Sequence, residues 1–587
     1  LPVDAQKERH PERYDELYRA QDPLEKHYRD MQDIEFTVQE GKFYMLQTRS
    51  GKRTGRASVK IAVDMVREGL ITESEALMRV STDHVEAFLH PMVDPGAKTE
   101  IVAKGLPASP GGATGQVVFS AEEAEEETAR GHSVILVRRE TTPEDIHGMK
   151  VAEGILTELG GMTSHAAVVA RGMGVCAITG CDDLNIDYAA GTATTSDGVV
   201  IKRGDIITLD GTFGEVMLGD IPKTEASSSD DFQLLLSWAD KHRRLKVRAN
   251  AETPEDAAKA RELGAEGIGL VRTEHMFFDA GRIDVIRAMI LAETDEERRK
   301  YLDELQVFQH DDMLELFKVM DGLPVTVRLL DPPLHEFLPQ SEEDVQALAE
   351  RIGKPAEKIR EIAGRLEEVN PMLGFRGCRL SVVYPEITEM QVKAIISAAA
   401  DATEQGCKPL PEIMIPLVIN VREIRLITDI IDKSTHEVMK ARTVSIAYKI
   451  GTMMETPRAA LGAHRLAPAV EFMSFGTNDL TQMTYGFSRD DAGKFIPQYL
   501  KKKLIDADPF VSLDQRAVGR LMEMAVTESR ERKKGIKYGI CGEHGGDPRS
   551  IRFCHELGLD YVSCSPYRVP IARIAAAQAN VGFEPND

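Results

Sequence analysis

The stretch GLVRTE at residues 269–274 is an apolar run that becomes polar and charged at its end. It is one of eight similar runs after residue 242, and helical sequence patterns separate them. A short apolar run bounded by polar residues is typical of a buried strand. The runs lie near Val247, Ile268, Val327, Met414, Ile450, Phe475, Ile540 and Val562. This strand–helix rhythm predicts a (β/α)8 barrel with large insertions over residues 242–587.

The predicted strands end in polar side chains. In such barrels the reactive residues lie at the carboxyl ends of the strands. The polar residues at these ends are Arg272, Arg328, Glu455, Asn478, Asp479 and Cys541. For any one of them, an ion pair that stabilises a loop is as good an explanation as a functional role. Six such residues at one rim favour an active site.

The residue types at this rim suit a phosphorylated anion. The guanidinium groups of Arg272 and Arg328 offer planar, bidentate donors to a phosphoryl group. Glu455 and Asp479 are hard oxygen ligands suited to Mg²⁺, which keeps several waters when it binds a protein. Asn478 can donate to a carboxylate. A cysteine at position 541 can deliver or remove a proton, although simple packing beside glycines also explains it.

A second informative stretch is GGMTSHAAVVARGMG at residues 160–174. It follows the apolar run 151–156, which predicts a buried strand, and its two glycines predict a tight turn. Thr163 or Ser164 can cap a helix that begins near His165. Free N–H groups and the helix dipole favour an anion there, so His165 could accept a phosphoryl group. A buried histidine that only caps a helix is the alternative.

Both stretches resemble sequences of the phosphoenolpyruvate-utilising enzymes, and the resemblance covers nearly the whole chain. Residues 160–174 are similar to the phosphohistidine signature of that family. Within the family, the chain resembles the pyruvate phosphate dikinases in RTEHMFF (272–278), RLLDPPLHEF (328–337), NPMLGFRG (370–377) and GTNDLTQ (476–482). The runs CGEHGGDP (541–548) and DIEFTVQ (33–39) favour this branch over phosphoenolpyruvate synthase and over enzyme I of the sugar phosphotransferase system.

The resemblance implies a reaction and a set of residue roles. ATP, phosphate and pyruvate would be interconverted with AMP, diphosphate and phosphoenolpyruvate through a phosphohistidine at His165. Cys541 would exchange a proton with the substrate carbon. The implied substrate-binding residues are Arg272, Arg328, Arg376, Glu455, Gly476, Thr477, Asn478 and Asp479. The resemblance also implies that Glu455 and Asp479 bind Mg²⁺, which would stabilise the enolate.

The resemblance raises a regulatory expectation and leaves alternatives. In plant members, the threonine two positions before the histidine is a regulatory phosphorylation site, so Thr163 is a candidate. A phosphate on Thr163 would repel a second phosphoryl group on His165. A plain helix cap is the alternative for Thr163. For the whole chain, the alternatives are a synthase, an enzyme I-like phosphotransferase or an inactive docking fragment. The intact residue set speaks against the fragment.

The domain organisation predicted from the sequence is an α/β multidomain chain. DIEFTVQ and the run 43–47 predict a hairpin that resembles the closing hairpin of an ATP-grasp nucleotide-binding domain. We therefore interpret residues 1–56 as the end of that domain and expect most of it to be missing. ATP, AMP and phosphate would bind the missing domain, and this chain would perform only the phosphoenolpyruvate/pyruvate half-reaction. The remaining units are a helical linker (57–99), a swivelling α/β phosphohistidine domain (100–216), a linker (217–241) and the barrel (242–587).

Composition excludes several function classes. The formal net charge of −23 argues against nucleic acid and anionic lipid as partners. No apolar run is long enough to span a bilayer. Seven cysteines without a Cys-x-x-Cys pair are typical of a reducing compartment. Since no secretion signal is evident, we expect the cytoplasm or the plastid stroma. The resemblance also implies a homodimer formed through the barrel.

Overall fold

The structure is a computed structural model. It describes residues 7, 10–86, 91–94, 96–142, 145–161, 166–167, 169–170, 175–225, 229–277, 281–339, 342–492 and 495–582. The chain divides into two compact units, Leu1–Trp238 and Ala239–Asp587.

The first unit begins with a helix and a hairpin. Helix Pro11–Tyr28 precedes strands β1 (Gln32–Gln39) and β2 (Lys42–Ser50), which pair antiparallel. Glu40 and Gly41 join them with φ angles of 50° and 72°. Two consecutive residues with positive φ form the tight turn whose twist matches that of a hairpin. The hairpin predicted from the alternating sequence is therefore present.

Three helices follow the hairpin, in the region predicted as a helical linker. They are Gly55–Arg67, Glu73–Arg79 and Thr82–Glu86. The hydroxyl of Thr72 accepts a hydrogen bond from the backbone N–H of Glu75, whose carboxylate accepts one from the N–H of Thr72. This capping box starts a separate helix at Glu73.

The rest of the first unit is built on strands β3 to β15. In chain order they are β3 (Pro91–Val93), β4 (Ile101–Lys104), β5 (Leu106–Ser109), β6 (Gly112–Val118), β7 (Val134–Arg138), β8 (Gly154–Thr157), β9 (Cys176–Thr179), β10 (Leu184–Asp187), β11 (Thr192–Thr195), β12 (Val200–Lys202), β13 (Ile206–Asp210), β14 (Glu215–Leu218) and β15 (Lys223–Glu225). Eight of them form one mixed sheet in the order β4-β14-β13-β6-β7-β8-β9-β5. Strands β10 to β12 form a small sheet, and β3 pairs with β15.

The described helices between β6 and β8 are Ala121–Ala129 and Ile146–Val151. The second of these corrects the predicted strand at 151–156, because Val151 ends a helix and β8 begins only at Gly154. Periodicity cannot distinguish a short buried strand from a buried helix end in one apolar run. Gly154 marks the change, since a Cβ there would lie 2.9 Å from the Cβ of Ala113.

The segments predicted as linkers also contain regular structure. β3 lies within 57–99, and β15 lies within 217–241. Helix Asp230–His242 covers most of the remainder of the second segment. Asp230 and Asp231, which fall within the predicted linker, are therefore helical. Acidic residues in a first helical turn complement the helix dipole, which explains their place there.

The second unit is a closed barrel of eight parallel strands, which confirms the predicted (β/α)8 barrel. The strands are β16 (Lys246–Asn250), β17 (Ile268–Arg272), β18 (Pro324–Arg328), β19 (Leu410–Ile415), β20 (Lys449–Met454), β21 (Phe472–Phe475), β22 (Lys537–Ile540) and β23 (Tyr561–Cys564). Each strand contains the position predicted for it.

The helices of the second unit connect the strands and fill the insertions. They are Pro254–Glu262, Arg282–Ile290, Asp295–Val319, Glu342–Ile352, Ala356–Leu366, Cys378–Val383, Pro385–Glu404, Val421–Arg442, Pro457–Leu461, Ala463–Leu466, Thr477–Tyr485, Arg489–Ala492, Ile496–Lys501, Val518–Arg532, Pro548–Glu556 and Val569–Val581. Most of the buried apolar side chains of the strands and helices form one continuous core. A second apolar cluster around Phe277 and Phe337 supports the insertions after β17 and β18. The loops at the carboxyl ends of the strands thus rest on a packed scaffold.

Candidate active site at the carboxyl rim of the barrel

The predicted barrel residues lie at or just after the carboxyl ends of strands, except for Arg376, which lies in the segment between β18 and β19. Arg272 and Arg328 are the last residues of β17 and β18. Glu455 follows β20, and Cys541 follows β22. Gly476 follows β21, and helix Thr477–Tyr485 begins directly after it. Because parallel strands of a closed barrel end on one face, these residues share one rim.

Two buried arginines and four acids form the centre of this rim. One carboxylate oxygen, Asp331 Oδ2, lies 2.9 Å from Arg328 Nη1 and accepts a 2.7 Å hydrogen bond from Arg376 Nη2. Arg376 Nη1 also donates to Asp479 Oδ1 at 3.1 Å. Arg328 Nη2 donates to Glu274 Oε1. Asp331 therefore holds two guanidinium groups together that would otherwise repel each other.

The charges in this cluster shift one another's pKa values. Burial favours the neutral form of Asp331, but the positive charges of Arg328 and Arg376 outweigh it and hold its pKa below the usual range. Burial likewise opposes the charge of Arg376, while Asp331, Asp479 and Glu455 raise its pKa. Asp331 and Glu274 raise the pKa of Arg328 in the same way. Both arginines therefore stay charged.

Glu455 is the fourth acid of the cluster. Its Oε1 accepts a 2.5 Å hydrogen bond from the backbone N–H of Leu417. Its Oε2 is buried and has no hydrogen-bond partner among the described residues. Burial and the charges of Asp331 and Asp479 raise the pKa of Glu455 well above its usual value. Burial also raises the pKa of Asp479, against the effect of Arg376.

This donor set fits a Mg²⁺ ion. A buried carboxylate oxygen without a partner is costly, and a bound cation would satisfy it. A Cβ on Gly476 would lie 2.8 Å from Glu455 Oε2, so the glycine keeps space beside that oxygen. Within the described ranges, no group of three or more acidic, histidine or cysteine side chains could hold a metal. Two carboxylates completed by water and substrate are a common ligand set for Mg²⁺.

Arg272 occupies a more open position on the same rim. Its Nη1 donates to Glu252 Oε1 at 2.9 Å, and 27% of its side chain is exposed. Burial raises the pKa of Glu252, although Arg272 opposes that shift. The exposed fraction leaves part of this guanidinium accessible to a ligand.

Cys541 and Asn478 are held by loop contacts. The carbonyl of Cys541 accepts a 3.0 Å hydrogen bond from Asn250 Nδ2, and its N–H donates to the carbonyl of Phe475 at 3.1 Å. Burial raises the pKa of the Cys541 thiol to about 11, so it keeps its proton at neutral pH. The N–H of Glu543 donates to Asn478 Oδ1 at 3.4 Å. This contact directs the amide NH₂ of Asn478 away from the loop.

The candidates in the first unit fall on the histidine stretch. His165 and Thr163 lie outside the described residues. The described neighbours Ala166, Ala167 and Ala170 are helical and buried. The roles of His165 and Thr163 therefore stay predictions.

Several residues of the rim were not among the sequence candidates. They are Asp331, Glu274, Glu252, Asn250 and His544. Asp331 and Glu274 stand at the ends of the same strand runs as Arg328 and Arg272, which was the available signal. Sequence position cannot tell an acid that holds an arginine from an acid that binds a ligand. Asn250 ends β16 as Arg272 ends β17, so the same signal was available for it, whereas the partners of His544 are distant in the chain.

Three protein-family models match successive regions of the chain. The model of the phosphoenolpyruvate-utilising enzyme, PEP-binding domain matches residues 226–581, and that of the mobile domain of the same enzymes matches 131–214. The model of the pyruvate phosphate dikinase, AMP/ATP-binding domain matches residues 2–70. The chain belongs to the phosphoenolpyruvate-utilising enzymes.

The match at residues 2–70 corrects one expectation. Residues 1–56 were expected to be only the end of a nucleotide-binding domain that is mostly missing, but the model of that domain matches residues 2–70 and contradicts the missing domain. The expectation relied on the hairpin, whereas the match also includes helices Pro11–Tyr28 and Gly55–Arg67 on either side. The restriction of this chain to one half-reaction loses its basis with that correction.

Three similar proteins are each named as a pyruvate, phosphate dikinase. The chain is 54% identical over 572 residues to a pyruvate, phosphate dikinase of Rhizobium meliloti (strain 1021), covering 97% of this chain and 64% of the relative. The Clostridium symbiosum enzyme of that name is 54% identical, covering 95% and 64%. The Arabidopsis thaliana protein named pyruvate, phosphate dikinase 1, chloroplastic is 54% identical, covering 99% and 60%. The chain thus spans somewhat more than three fifths of the length of the first two.

Among the described residues, no helix combines the length and the apolar character needed to cross a bilayer.

Proposed function

We propose that the carboxyl rim of the barrel binds phosphoenolpyruvate and transfers its phosphoryl group reversibly to His165. The observation that carries the proposal is the cluster around Asp331. Two buried guanidinium groups, of Arg328 and Arg376, lie beside Glu455, whose Oε2 has no partner among the described residues. Buried cations next to an unsatisfied carboxylate form a site that an anion and a cation together would complete.

The roles of the side chains follow from their chemistry. Arg272, Arg328 and Arg376 would bind the phosphoryl and carboxylate oxygens through paired N–H donors. Asn478 would donate its amide N–H to the carboxylate. The N–H groups of Thr477, Asn478 and Asp479 have no partners within their helix and would favour the same anion. Gly476 would leave room for the ligand beside Glu455.

The transfer balances within this residue set. The bond between phosphorus and the enol oxygen breaks, and a bond from phosphorus to a nitrogen of His165 forms. The enolate left behind takes a proton from Cys541 at its methylene carbon, which gives pyruvate. A thiol with a pKa of about 11 holds that proton until the strongly basic enolate carbon appears. In the reverse direction the thiolate removes a proton from pyruvate.

A divalent cation is part of the proposal. Glu455 and Asp479 would hold Mg²⁺, which would supply positive charge to stabilise the enolate oxygen. Asp331 would keep Arg328 and Arg376 oriented around this position.

The full reaction proposed for this chain is that of a pyruvate phosphate dikinase. His165 would carry the phosphoryl group between the barrel and the nucleotide-binding domain, which would act on ATP, AMP and phosphate. A swivelling mobile domain, a homodimer through the barrel, and a location in the cytoplasm or plastid stroma belong to the same proposal. The family matches and the names of the relatives support it.

The test is transfer of labelled phosphate. The purified chain would be incubated with Mg²⁺ and phosphoenolpyruvate labelled in its phosphate, followed by acid and base quenching. We expect acid-labile, base-stable label that is absent from His165→Ala and that returns to pyruvate on a chase. A folded wild-type chain without label would overturn the proposal. Label that persists in His165→Ala would assign the phosphoryl group to another residue.

Thr163 is proposed as a regulatory position next to His165. A phosphate on Thr163 would place negative charge where the incoming phosphoryl group must approach. Thr163→Glu is therefore expected to slow labelling of His165, while Thr163→Ser leaves it at the wild-type rate. Equal rates for the two variants would leave Thr163 with the role of a helix cap.

A further inference from the structure

Two segments of the rim carry the groups that the proposed reaction needs together. The cysteine loop, residues 541–546, contains Cys541, and the first turn of helix Thr477–Tyr485 contains Asn478 and Asp479. The two segments touch at Gly542. A Cβ on Gly542 would lie 2.2 Å from Thr477 Oγ1 and 3.1 Å from the backbone nitrogen of Thr477. The backbones therefore approach as closely as only glycine allows.

His544, on the cysteine loop, contacts Thr477 at the start of the helix. Its side chain is fully buried, and its Nε2 lies 2.9 Å from the carbonyl oxygen of Pro509. Its Nδ1 lies 2.7 Å from Thr477 Oγ1. A carbonyl oxygen can only accept, so Nε2 carries the hydrogen and donates it. In the neutral ring Nδ1 is then the acceptor, and the hydroxyl of Thr477 donates to it.

This arrangement fixes the start of the helix relative to Cys541. The hydroxyl hydrogen of Thr477 is committed to His544, so the hydroxyl cannot rotate to donate to a ligand. The N–H of Glu543, next to His544, donates to Asn478 Oδ1 and orients that amide. Both bonds run from the cysteine loop to the first turn of the helix. Loss of the bond between Thr477 and His544 would loosen the bond between Glu543 and Asn478.

We propose that His544 is a positioning residue that locks the cysteine loop to the first turn of helix Thr477–Tyr485. The inference rests on the proposed function, because it assigns His544 the task of keeping Asn478 and Asp479 in register with Cys541. When a residue remote from the chemistry misplaces the reacting groups by about 1 Å, the rate can fall about a hundredfold. His544 itself does not need to touch the substrate.

Two variants separate positioning from simple stability. In His544→Asn, the amide oxygen lies near the position of Nδ1 and can still accept from Thr477, while the bond to Pro509 is lost. In His544→Gln, the amide reaches the position of Nε2 and can still donate to Pro509, while the bond to Thr477 is lost. Each variant loses one buried hydrogen bond, so similar decreases in stability are expected.

We expect His165 labelling to slow about 10- to 100-fold in His544→Gln and to stay within about threefold of wild type in His544→Asn. Urea unfolding would check that the two variants have matched stability. Equal labelling rates in the two variants would overturn the proposal, as would a slower His544→Asn. A change in rate that tracks stability alone would do the same.

Hydrogen exchange supplies a readout that does not depend on catalysis. The backbone amides of Asn478 and Asp479 should exchange faster in His544→Gln than in wild type, and close to the wild-type rate in His544→Asn. Unchanged exchange in His544→Gln would contradict the positioning role. If wild type takes no label, the proposed function fails, and the exchange measurement still decides whether His544 holds the helix.

Discussion

Glu412 and Glu455 are buried in the same barrel, yet their surroundings shift their pKa values in opposite directions. Glu412 lies on β19 near the amino end of the barrel and is fully partnered. It accepts hydrogen bonds from Arg248 at 2.7 Å, Thr326 at 2.8 Å and Lys537 at 3.0 Å. Burial opposes its charge, but Arg248 and Lys537 outweigh burial and lower its pKa to about 2.

Glu455 at the carboxyl end has one backbone donor and one oxygen without a partner among the described residues. Burial and neighbouring carboxylates raise its pKa. At the amino end of the barrel, the closed end, both carboxylate oxygens of Glu412 are paired. At the carboxyl end, the open end, one buried oxygen of Glu455 lacks a partner among the described residues. A fully paired network stabilises the fold, whereas an incompletely paired one is stabilised by the ligand that binds to it. This difference supports the proposal that the carboxyl rim is the site of function.

The largest expected effect is on catalysis at the open end. Glu455→Gln should reduce phosphoryl transfer to His165 about a thousandfold, because an amide is a poor ligand for Mg²⁺ and removes a charge from the site. The free energy of unfolding should not decrease, since glutamine can still accept from Leu417 and carries no buried charge. Rapid-quench labelling and urea unfolding would measure the two effects. A normal rate of phosphoryl transfer in Glu455→Gln would contradict the functional role that distinguishes Glu455 from Glu412.

The matching change at the closed end should have the reverse profile. Glu412→Gln leaves Arg248 and Lys537 without a buried counter-charge and should destabilise the barrel by about 3–5 kcal/mol. Labelling per folded molecule should stay at the wild-type rate, because Glu412 lies at the other end of the strands. Urea unfolding and labelling at a permissive temperature would check both expectations. A stable variant with reduced labelling would contradict them.

The same glutamate predicts a pH dependence. Its pKa is about 2 in the folded chain and about 4.5 without its partners, so its stabilisation is present above pH 4.5. It should be lost as the pH falls from about 4.5 towards 2. The difference of about 2.5 pKa units corresponds to about 3 kcal/mol. Unfolding free energies of wild type and Glu412→Gln at several pH values would measure it. A constant difference between them would contradict the assignment.

The smallest of these effects concerns the proton donor. Cys541→Ala should slow pyruvate formation from phosphoenolpyruvate about a hundredfold, the lower range for loss of a general acid. Cys554→Ala is the matched control, since Cys554 is also a fully buried thiol but lies in the apolar core. The control should lose stability and keep its rate. Equal rates for the two variants would remove Cys541 from the mechanism.

The sequence was sufficient for the barrel because its signals are local. Each strand has its own apolar run, and the polar residues that follow identify one rim without knowledge of the loops. Helix ends were less accessible, as the late start of β8 at Gly154 illustrates. Those boundaries depend on caps and on contacts with neighbouring strands.

The candidate site was predicted as a set of residue types but not as a network. The sequence placed Arg328, Glu455 and Asp479 on one rim. It could not indicate that Asp331 joins Arg328 to Arg376, because Arg376 lies in a separate segment and meets the other two residues only in the fold. It also could not separate the filled carboxylate of Glu412 from the open carboxylate of Glu455, since that difference arises from partners on other strands.

The most direct test is a crystal structure of His165→Ala with phosphoenolpyruvate and Mg²⁺, a variant that should bind but not accept the phosphoryl group. We predict ligand density between Arg328, Arg376 and Asn478, with a metal ion bound to Glu455 and Asp479. Density for the ligand at the amino end of the barrel, or an empty carboxyl rim at saturating ligand, would contradict the account.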